Sequence, residues 1–342
     1  MEKRNIIVVG ASAGGITALK GLMQSLPQNF AATFFIVLHI PPYATSELPE
    51  ILTKEGPLKA THPKDGEQIK DRKIYVAPPD HHLLIEDDKV LVKRGPKENR
   101  QRPSIDALFR SAAYSYGPRV IGIVLSGALN DGTSGLWTVK RLGGIAIIQD
   151  PNEASFPDMP DNVIEYVEVD YSVKVSEMGP LLNQLIEKPP IERPKLSEKE
   201  KKMLEMEITI AEQDDAFELG IMEMGELTEF TCPDCHGALT LLKGGNTVPR
   251  YRCHTGHSFT VSALLDGITE NNETNLWQAM RSMEETTMLL KNIGGHFGDE
   301  GKSDVADLFF KKAEESSKQA RVIHDSIFKL KSFSKDIERR KA

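Results

Sequence analysis

The chain has 342 residues, 27% of them charged and 39% hydrophobic, and a formal net charge of −8 at neutral pH. That length leaves room for more than one domain, and the acidic balance speaks against a general nucleic-acid binder, which needs a basic surplus to neutralise phosphates. No charge-free run is long enough for a membrane span, and the first residues lead into a core strand instead of an apolar secretion segment, so a cytoplasmic protein without membrane insertion is expected.

In chain order, strand-like runs fall at 6–10, 33–39, 73–77, 83–86 with 90–93, 120–126 and 145–149, and helical patterns lie between several of them. The alternation predicts an α/β fold with a doubly wound, mostly parallel, Rossmann-like sheet. Asp87 and Asp88 between two short runs predict a β-hairpin. From Glu187 the prolines and charges of EKPPIERPKLSEKEKK read as a linker, followed by a helix over about 197–224 whose Met203, Met206, Ile210, Phe217, Ile221 and Met224 form an apolar packing stripe. The three cysteines all fall within 230–265. The tail from 273 repeats apolar residues at helical spacing on both sides of GGHFGDEG, which predicts a helical hairpin turning at those glycines. The expected divisions are 1–186, a linker and helix over 187–226, a zinc-ribbon-like module over 227–267 and the hairpin over 268–342.

The first strand, IIVVG, runs into ASAGG and so places Ser12 at a strand-to-helix turn, beside unpaired backbone N–H groups that suit an oxyanion or a phosphate equally well. One reading is a nucleotide loop with Gly10, Ser12 and Gly15 at the fingerprint positions. A serine replaces its middle glycine, and no clear acidic residue follows the second strand. That strand ends in His39, which shifts the balance toward a nucleophile. Asp131 follows the apolar strand VIGIVLS in the turn SGALNDGTSG. Singly, His39 reads as a buried histidine and Asp131 as a helix cap. Together with Ser12 they can meet at the carboxyl edge of a parallel sheet, as a nucleophile, a base and a carboxylate that orients the base.

The ordered blocks VVGASAGG, FFIVLHIPP, RPSIDALFRSAA, VLSGALNDGTSG and QDPNEASFPDMP closely resemble the catalytic domain of the chemotaxis protein-glutamate methylesterase family over about residues 4–185. The resemblance implies a triad of Ser12, His39 and Asp131, with no catalytic cofactor. It also implies hydrolysis of glutamate γ-methyl esters on the signalling helices of methylated chemoreceptors, and deamidation of glutamine there by some members. Candidate oxyanion donors are the backbone N–H groups of Ala13 and Ala128. The family's turn resembles Gly-Met-Gly where this chain has Gly127-Ala128-Leu129. Chemotaxis members carry an N-terminal receiver domain, whereas this chain starts within three residues of the resembling region, so control is expected from the C-terminal helices or a regulatory protein bound there. A catalytically weak scaffold that binds a receptor or signalling partner is the competing reading.

CPDC and the later CHTGH give Cys232, Cys235 and Cys253 the look of a zinc ribbon, with His257 preferred over His254 as fourth ligand because adjacent residues rarely point to one ion. Four protein ligands leave no open position, so the zinc would be structural. His81 and His82 read as the start of a hairpin. Lys93, Arg94, Lys97, Arg100 and Arg102 form a basic cluster read as a solvated loop, with attraction of an acidic receptor helix as the functional option.

Overall fold

Every residue of β1 (Ile6–Ala11) is buried, and its side chains alternate between two apolar layers, as a strand covered on both faces requires. Residues 5–213, 216–242 and 248–329 are described by the computed structural model. They divide at Leu264 into two compact units. In the first, β1 is followed by α1 (Gly15–Ser25), β2 (Thr33–Leu38), α2 (Leu48–Glu55), β3 (Lys59–Thr61), β4 (Glu67–Gln68), β5 (Lys73–Val76), β6 (His82–Glu86), β7 (Lys89–Lys93) and α3 (Ile105–Tyr116). Next come β8 (Val120–Val124), α4 (Thr133–Arg141), β9 (Ile145–Gln149), α5 (Asp158–Tyr166), β10 (Tyr171–Val173) and α6 (Val175–Glu187).

The main sheet has the order β10-β9-β8-β1-β2-β5-β3, and all its pairs are parallel. Ile7, Val9 and Ala11 pack with α1, α2 and α6, and Ile6 and Val8 with α3, α4 and α5. The chain builds outward from β1 in both directions, through β2 on one side and β8 on the other. The topological switch point, where such sheets open a crevice at their carboxyl ends, therefore lies beside β1. The expected hairpin is β6–β7, extended by β4 into a small antiparallel sheet, and Asp87 takes the left-handed conformation (φ 49°) that two-residue hairpin turns favour.

The segment after α6 lies against this α/β unit. Arg193 donates to the Tyr114 carbonyl at 2.5 Å, and Arg141 pairs with Glu200 at 2.9 Å. Ser197 opens α7 (Glu198–Glu212) with a capping box completed by Glu200. The helix stops well short of 224. Met203, Met206 and Ile210 are buried, but the chain leaves the helical register at Gln213, so Phe217 is 71% exposed and Ile221 is buried from a turn.

Strands β11 (Glu226–Thr231), β12 (Ala238–Leu242), β13 (Arg250–Cys253) and β14 (Ser258–Thr260) form an antiparallel ribbon. It docks on the α/β unit through charge. Arg252 donates to Glu98 at 2.8 Å and to Glu207 at 3.3 Å, Arg250 to Glu207 at 2.7 Å, and Arg110 of α3 to Glu98 at 2.6 Å. All five groups are buried. Burial alone would raise both carboxyls, but the Arg110 and Arg252 charges beside Glu98, and those of Arg250, Arg110 and Arg252 beside Glu207, hold them well below the usual range.

α8 (Val261–Asp299) and α9 (Ser303–Ile327) supply the second unit from Leu265 onward. They run antiparallel: Phe297 stacks on Phe309, the Ser316 hydroxyl donates to the Met283 carbonyl, and Trp277 meets Phe328 edge-on. The turn is at 300–302, with Gly301 at φ 75°, later than the sequence pattern suggested. Gly294 lies within α8, and the Phe310 ring is 2.8 Å from where its Cβ would stand, so this glycine serves close packing and not the turn. Residue 330, which the apolar repeat had included, lies outside the described residues.

Candidate active site and metal centre

The end of β1 sets the site. Ala11 pairs with Leu38, so Ser12 and His39 leave neighbouring strands at the same level, and the His39 N–H donates to the Ala11 carbonyl at 3.1 Å. On the other side the Ser12 N–H donates to the Ser126 carbonyl at 3.0 Å, at the start of the loop carrying Asp131. Gly14 closes the Ser12 turn in the left-handed region (φ 73°), where a side chain would be strained and would meet the Ser126 hydroxyl at 2.7 Å. That hydroxyl fastens the turn by donating to the Ala13 carbonyl at 2.8 Å.

His39 Nε2 lies 2.9 Å from Asp131 Oδ2, and their side chains are 9% and 3% exposed. An ionised carboxylate only accepts, so Nε2 carries the hydrogen and Nδ1 is left as the basic nitrogen. Asp131 is gripped by five further donors. Oδ2 accepts from the Ile105 N–H at 2.7 Å. Oδ1 accepts from the Asn99 amide at 3.0 Å, the Ser104 hydroxyl at 3.0 Å, the Asp106 N–H at 3.2 Å and the Gly132 N–H at 3.1 Å. Burial would raise Asp131, but hydrogen bonding and charge from His39, with the Ile105 and Asn99 donors, outweigh it and hold the carboxyl below its usual value. The neighbouring Asp106 moves the other way, pushed up to about 8 by burial and by the Asp131 charge. The negative charge of the pair resides on Asp131.

Asp131 thus caps α3, the helix opening at Ile105, and not chiefly the helix that follows it in sequence. The RPSIDALF block supplies this support. His82, which begins β6 as expected, is a satisfied buried histidine: Nε2 donates to the Pro96 carbonyl at 2.9 Å and Nδ1 accepts the Ser104 N–H at 3.2 Å. Burial lowers its pKa. Asn99, Ser104 and Asp106 carried no signal of their own before the fold was known. In the basic cluster Arg94, 67% exposed, and Lys93 stay on the solvated surface while pairing with Asp80 at 2.7 Å and Asp65 at 2.8 Å, whereas Arg102 is largely buried and pairs with Asp80 at 2.7 Å.

Among the described residues, the N–H groups of Ala13 and Ala128 have no hydrogen-bond partner, whereas the Gly127 N–H is taken by the Phe156 carbonyl at 3.0 Å. Gly127 must be glycine, since a Cβ would fall 2.0 Å from Met159 Sδ and 2.8 Å from Ser12 Cβ. Leu129 sits in the left-handed region (φ 65°), and Asn162 holds its carbonyl at 3.0 Å.

In the ribbon, two tight turns bring together Cys232, Cys235, Cys253 and His257, with their ligand atoms all within 4.8 Å of one another. His254 is not in the cluster. The Cys232–His257 and Cys253–His257 distances are 3.7 and 3.6 Å to Nδ1, and the Cys235–Cys253 sulfurs are 3.6 Å apart. Tetrahedral zinc with Zn–S of about 2.3 Å and Zn–N of about 2.0 Å gives edges of about 3.5–3.8 Å, so the donor set fits that ion. The Thr255 hydroxyl caps one face, 3.0–3.3 Å from Cys253, Cys235 and His257.

A doubly wound α/β unit that gathers serine, histidine and a buried aspartate at its switch point defines the class of protein. The chain belongs to the CheB methylesterase family, whose profile matches residues 7–182. It is 41% identical over 180 residues to a Leptospira interrogans protein named putative protein-glutamate methylesterase/protein-glutamine glutaminase, a match covering 52% of this chain and 93% of that one. It is 34% identical over 184 residues to a Methanosarcina mazei protein named protein-glutamate methylesterase/protein-glutamine glutaminase 2. That alignment takes in 52% of this chain and 50% of the relative's length. The crystal structure of the Thermotoga maritima CheB methylesterase catalytic domain aligns with a TM-score of 0.51 at 33% identity, covering 53% of this chain and 98% of that domain. The segment after residue 182, with α7, the ribbon and the helix pair, lies outside the family match. Among the described residues no helix is long and apolar enough to cross a membrane.

Proposed function

We propose that this protein is a serine esterase that hydrolyses glutamate γ-methyl esters on chemoreceptor signalling helices, releasing methanol, and that the same site deamidates glutamine there. The observation that carries the reading is the 2.9 Å His39–Asp131 hydrogen bond beside the Ser12 turn, within a family whose relatives bear that name. Ser12 Oγ attacks the ester carbonyl as His39 Nδ1 takes its proton, and the N–H groups of Ala13 and Ala128 receive the oxyanion. Collapse of the tetrahedral species breaks the C–O bond, the departing methoxide takes the proton from His39 and leaves as methanol, and water then releases the glutamate by the same steps. Asp131 keeps the imidazole oriented and stabilises its charged form. Cys232, Cys235, Cys253 and His257 would hold a zinc ion, which would cross-link the ribbon and take no part in catalysis. The protein acts in the cytoplasm, and the second unit is the docking element for a regulatory partner.

The test is methanol release from a methylated receptor signalling fragment by the wild type and by Ser12→Ala. Release that disappears in the variant, with the fold intact, is expected. Binding of the fragment by both proteins without methanol from either would replace the esterase by the scaffold reading.

A further inference from the structure

The ribbon does more than pack on the α/β unit, because its last strand reaches the groups that hold the catalytic loop. The Thr260 N–H donates to Asn99 Oδ1 at 2.9 Å, and the Thr260 hydroxyl donates to Asn130 Oδ1 at 2.7 Å. Asn99 sits in the left-handed region (φ 49°), and β14 also pairs with its backbone: the Asn99 N–H donates to the Ser258 carbonyl at 2.7 Å, and the Ser258 N–H to the Lys97 carbonyl at 3.2 Å. With an N–H donor on one side of the Asn99 amide and carboxyl oxygens of Asp106 and Asp131 accepting on the other, at 2.8 and 3.0 Å, only one orientation satisfies it. Asn130 is the residue before Asp131, on the loop that also carries Ala128 and the strained Leu129. Asn99, Asp106, Asn130, Asp131, Ser258 and Thr260 are all buried.

We propose that Thr260 is a positioning residue for the triad acid and the oxyanion loop, and that the metal-bound fold of the ribbon is thereby a condition of full catalytic rate. Thr260 is the third residue after His257. The turn that contributes the last ligand therefore leads straight into the strand that fixes Asn99 and Asn130. Loss of the ion frees that strand, Asn99 loses the partner that sets its amide, and the loop from Gly127 to Asp131 gains conformers in which His39 and the oxyanion are served less well. The ribbon in this way stands as a metal-dependent brace for a site built entirely by the α/β unit. The inference rests on the esterase reading for its kinetic arm only.

The experiment uses the full chain as wild type, Thr260→Val, Thr260→Ser and Asn99→Gly, with p-nitrophenyl acetate and the methylated fragment as substrates. Zinc content is measured on each, and the His39 imidazole is titrated by NMR. Valine keeps the shape of threonine but removes the hydroxyl, serine keeps the hydroxyl, and glycine tolerates the left-handed backbone. The expected result is full zinc content in all four, kcat lowered about tenfold or more in Thr260→Val and Asn99→Gly with KM within about twofold, and rescue by Thr260→Ser. His39 is expected to titrate at a displaced pH in Asn99→Gly and in zinc-depleted wild type, and zinc depletion is expected to lower kcat by a smaller factor in Asn99→Gly than in wild type, since the Thr260–Asn99 contact is already gone and only the Thr260–Asn130 contact remains to be lost. Unchanged kcat and an unchanged His39 titration in Thr260→Val, Asn99→Gly and the depleted wild type would overturn the proposal. If wild type and Ser12→Ala hydrolyse neither substrate, the esterase reading fails, and the His39 titration alone still decides whether the ribbon is coupled to the site.

Discussion

The N–H of Ile105 points at Asp131 Oδ2 across 2.7 Å, so the first turn of one helix is capped by a carboxylate from a loop 26 residues further on. The positive end of α3 thereby sits on Asp131, the acid of the proposed triad, where it favours the ionised form. One carboxylate both ties α3 to the sheet edge and orients His39, which under the proposed mechanism couples stability to catalysis at this residue and not at Ser12.

Asp131→Asn is therefore expected to cost more than activity. The new NH2 must face at least one of the donors around the carboxylate, which leaves buried groups unpaired at a cost of about 1–3 kcal/mol. Methanol release is expected to fall about 10³–10⁴-fold. Ser12→Ala removes a hydroxyl on a partly exposed turn and is expected to change stability by less than about 0.5 kcal/mol. Thermal unfolding of the two variants checks the contrast, and equal midpoints would contradict it.

Acid is expected to release the ribbon first. Glu98 and Glu207 have folded pKa values below their unfolded value of about 4.3, so their stabilisation is fully present above that pH and is lost as pH falls below it. Hydrogen exchange resolved by segment, taken from pH 6 to pH 3, should show protection lost over residues 226–260 before the strands of the parallel sheet. Arg252→Met at neutral pH leaves two buried carboxylates under-compensated and is expected to cost about 3–5 kcal/mol.

At Gly10 the backbone of β1 allows Ile105 to approach so closely that an added Cβ would stand 2.3 Å from Ile105 Cγ2. Gly10→Val is expected to push the first turn of α3 away from Asp131, destabilising the protein by about 1–3 kcal/mol and lowering kcat. Combining it with Ile105→Ala should restore part of both losses. Additive losses in the double mutant would show that the two residues do not compete for the same space.

Metal analysis is expected to find one zinc per chain in the wild type and in His254→Ala, and none in His257→Ala or Cys235→Ser. Chelation should abolish protection in the ribbon while the α/β sheet stays folded, because the sheet has its own two apolar layers. Retention of zinc by His257→Ala would move the fourth ligand elsewhere.

Much of the α/β unit was legible because its signals are local. Apolar runs ending in glycine turns marked β1 and β8, a run ending in His39 marked β2, and parallel strands necessarily bring Ser12, His39 and Asp131 to one edge. The supports of Asp131 were not legible, since Asn99, Ser104 and Thr260 act across long sequence separations and each is an ordinary polar residue in an ordinary turn. The end of α7 was misread because the apolar spacing of Phe217 and Ile221 continues after the helix has stopped. The glycines at 294, 295 and 298 resemble a turn until Phe310 is seen against Gly294. The largely buried pairing of Arg102 with Asp80 was not legible, because folding alone brings the two together.

The capping of α3 by Asp131 has a bearing on how such a protein would decay. If selection for hydrolysis lapsed, substitutions at Ser12 would be nearly free, while those at Asp131 would still be purged for their effect on folding. A descendant that had become a pure binding protein would then keep the aspartate and lose the serine, so Ser12 is the position at which to look for loss of the enzyme.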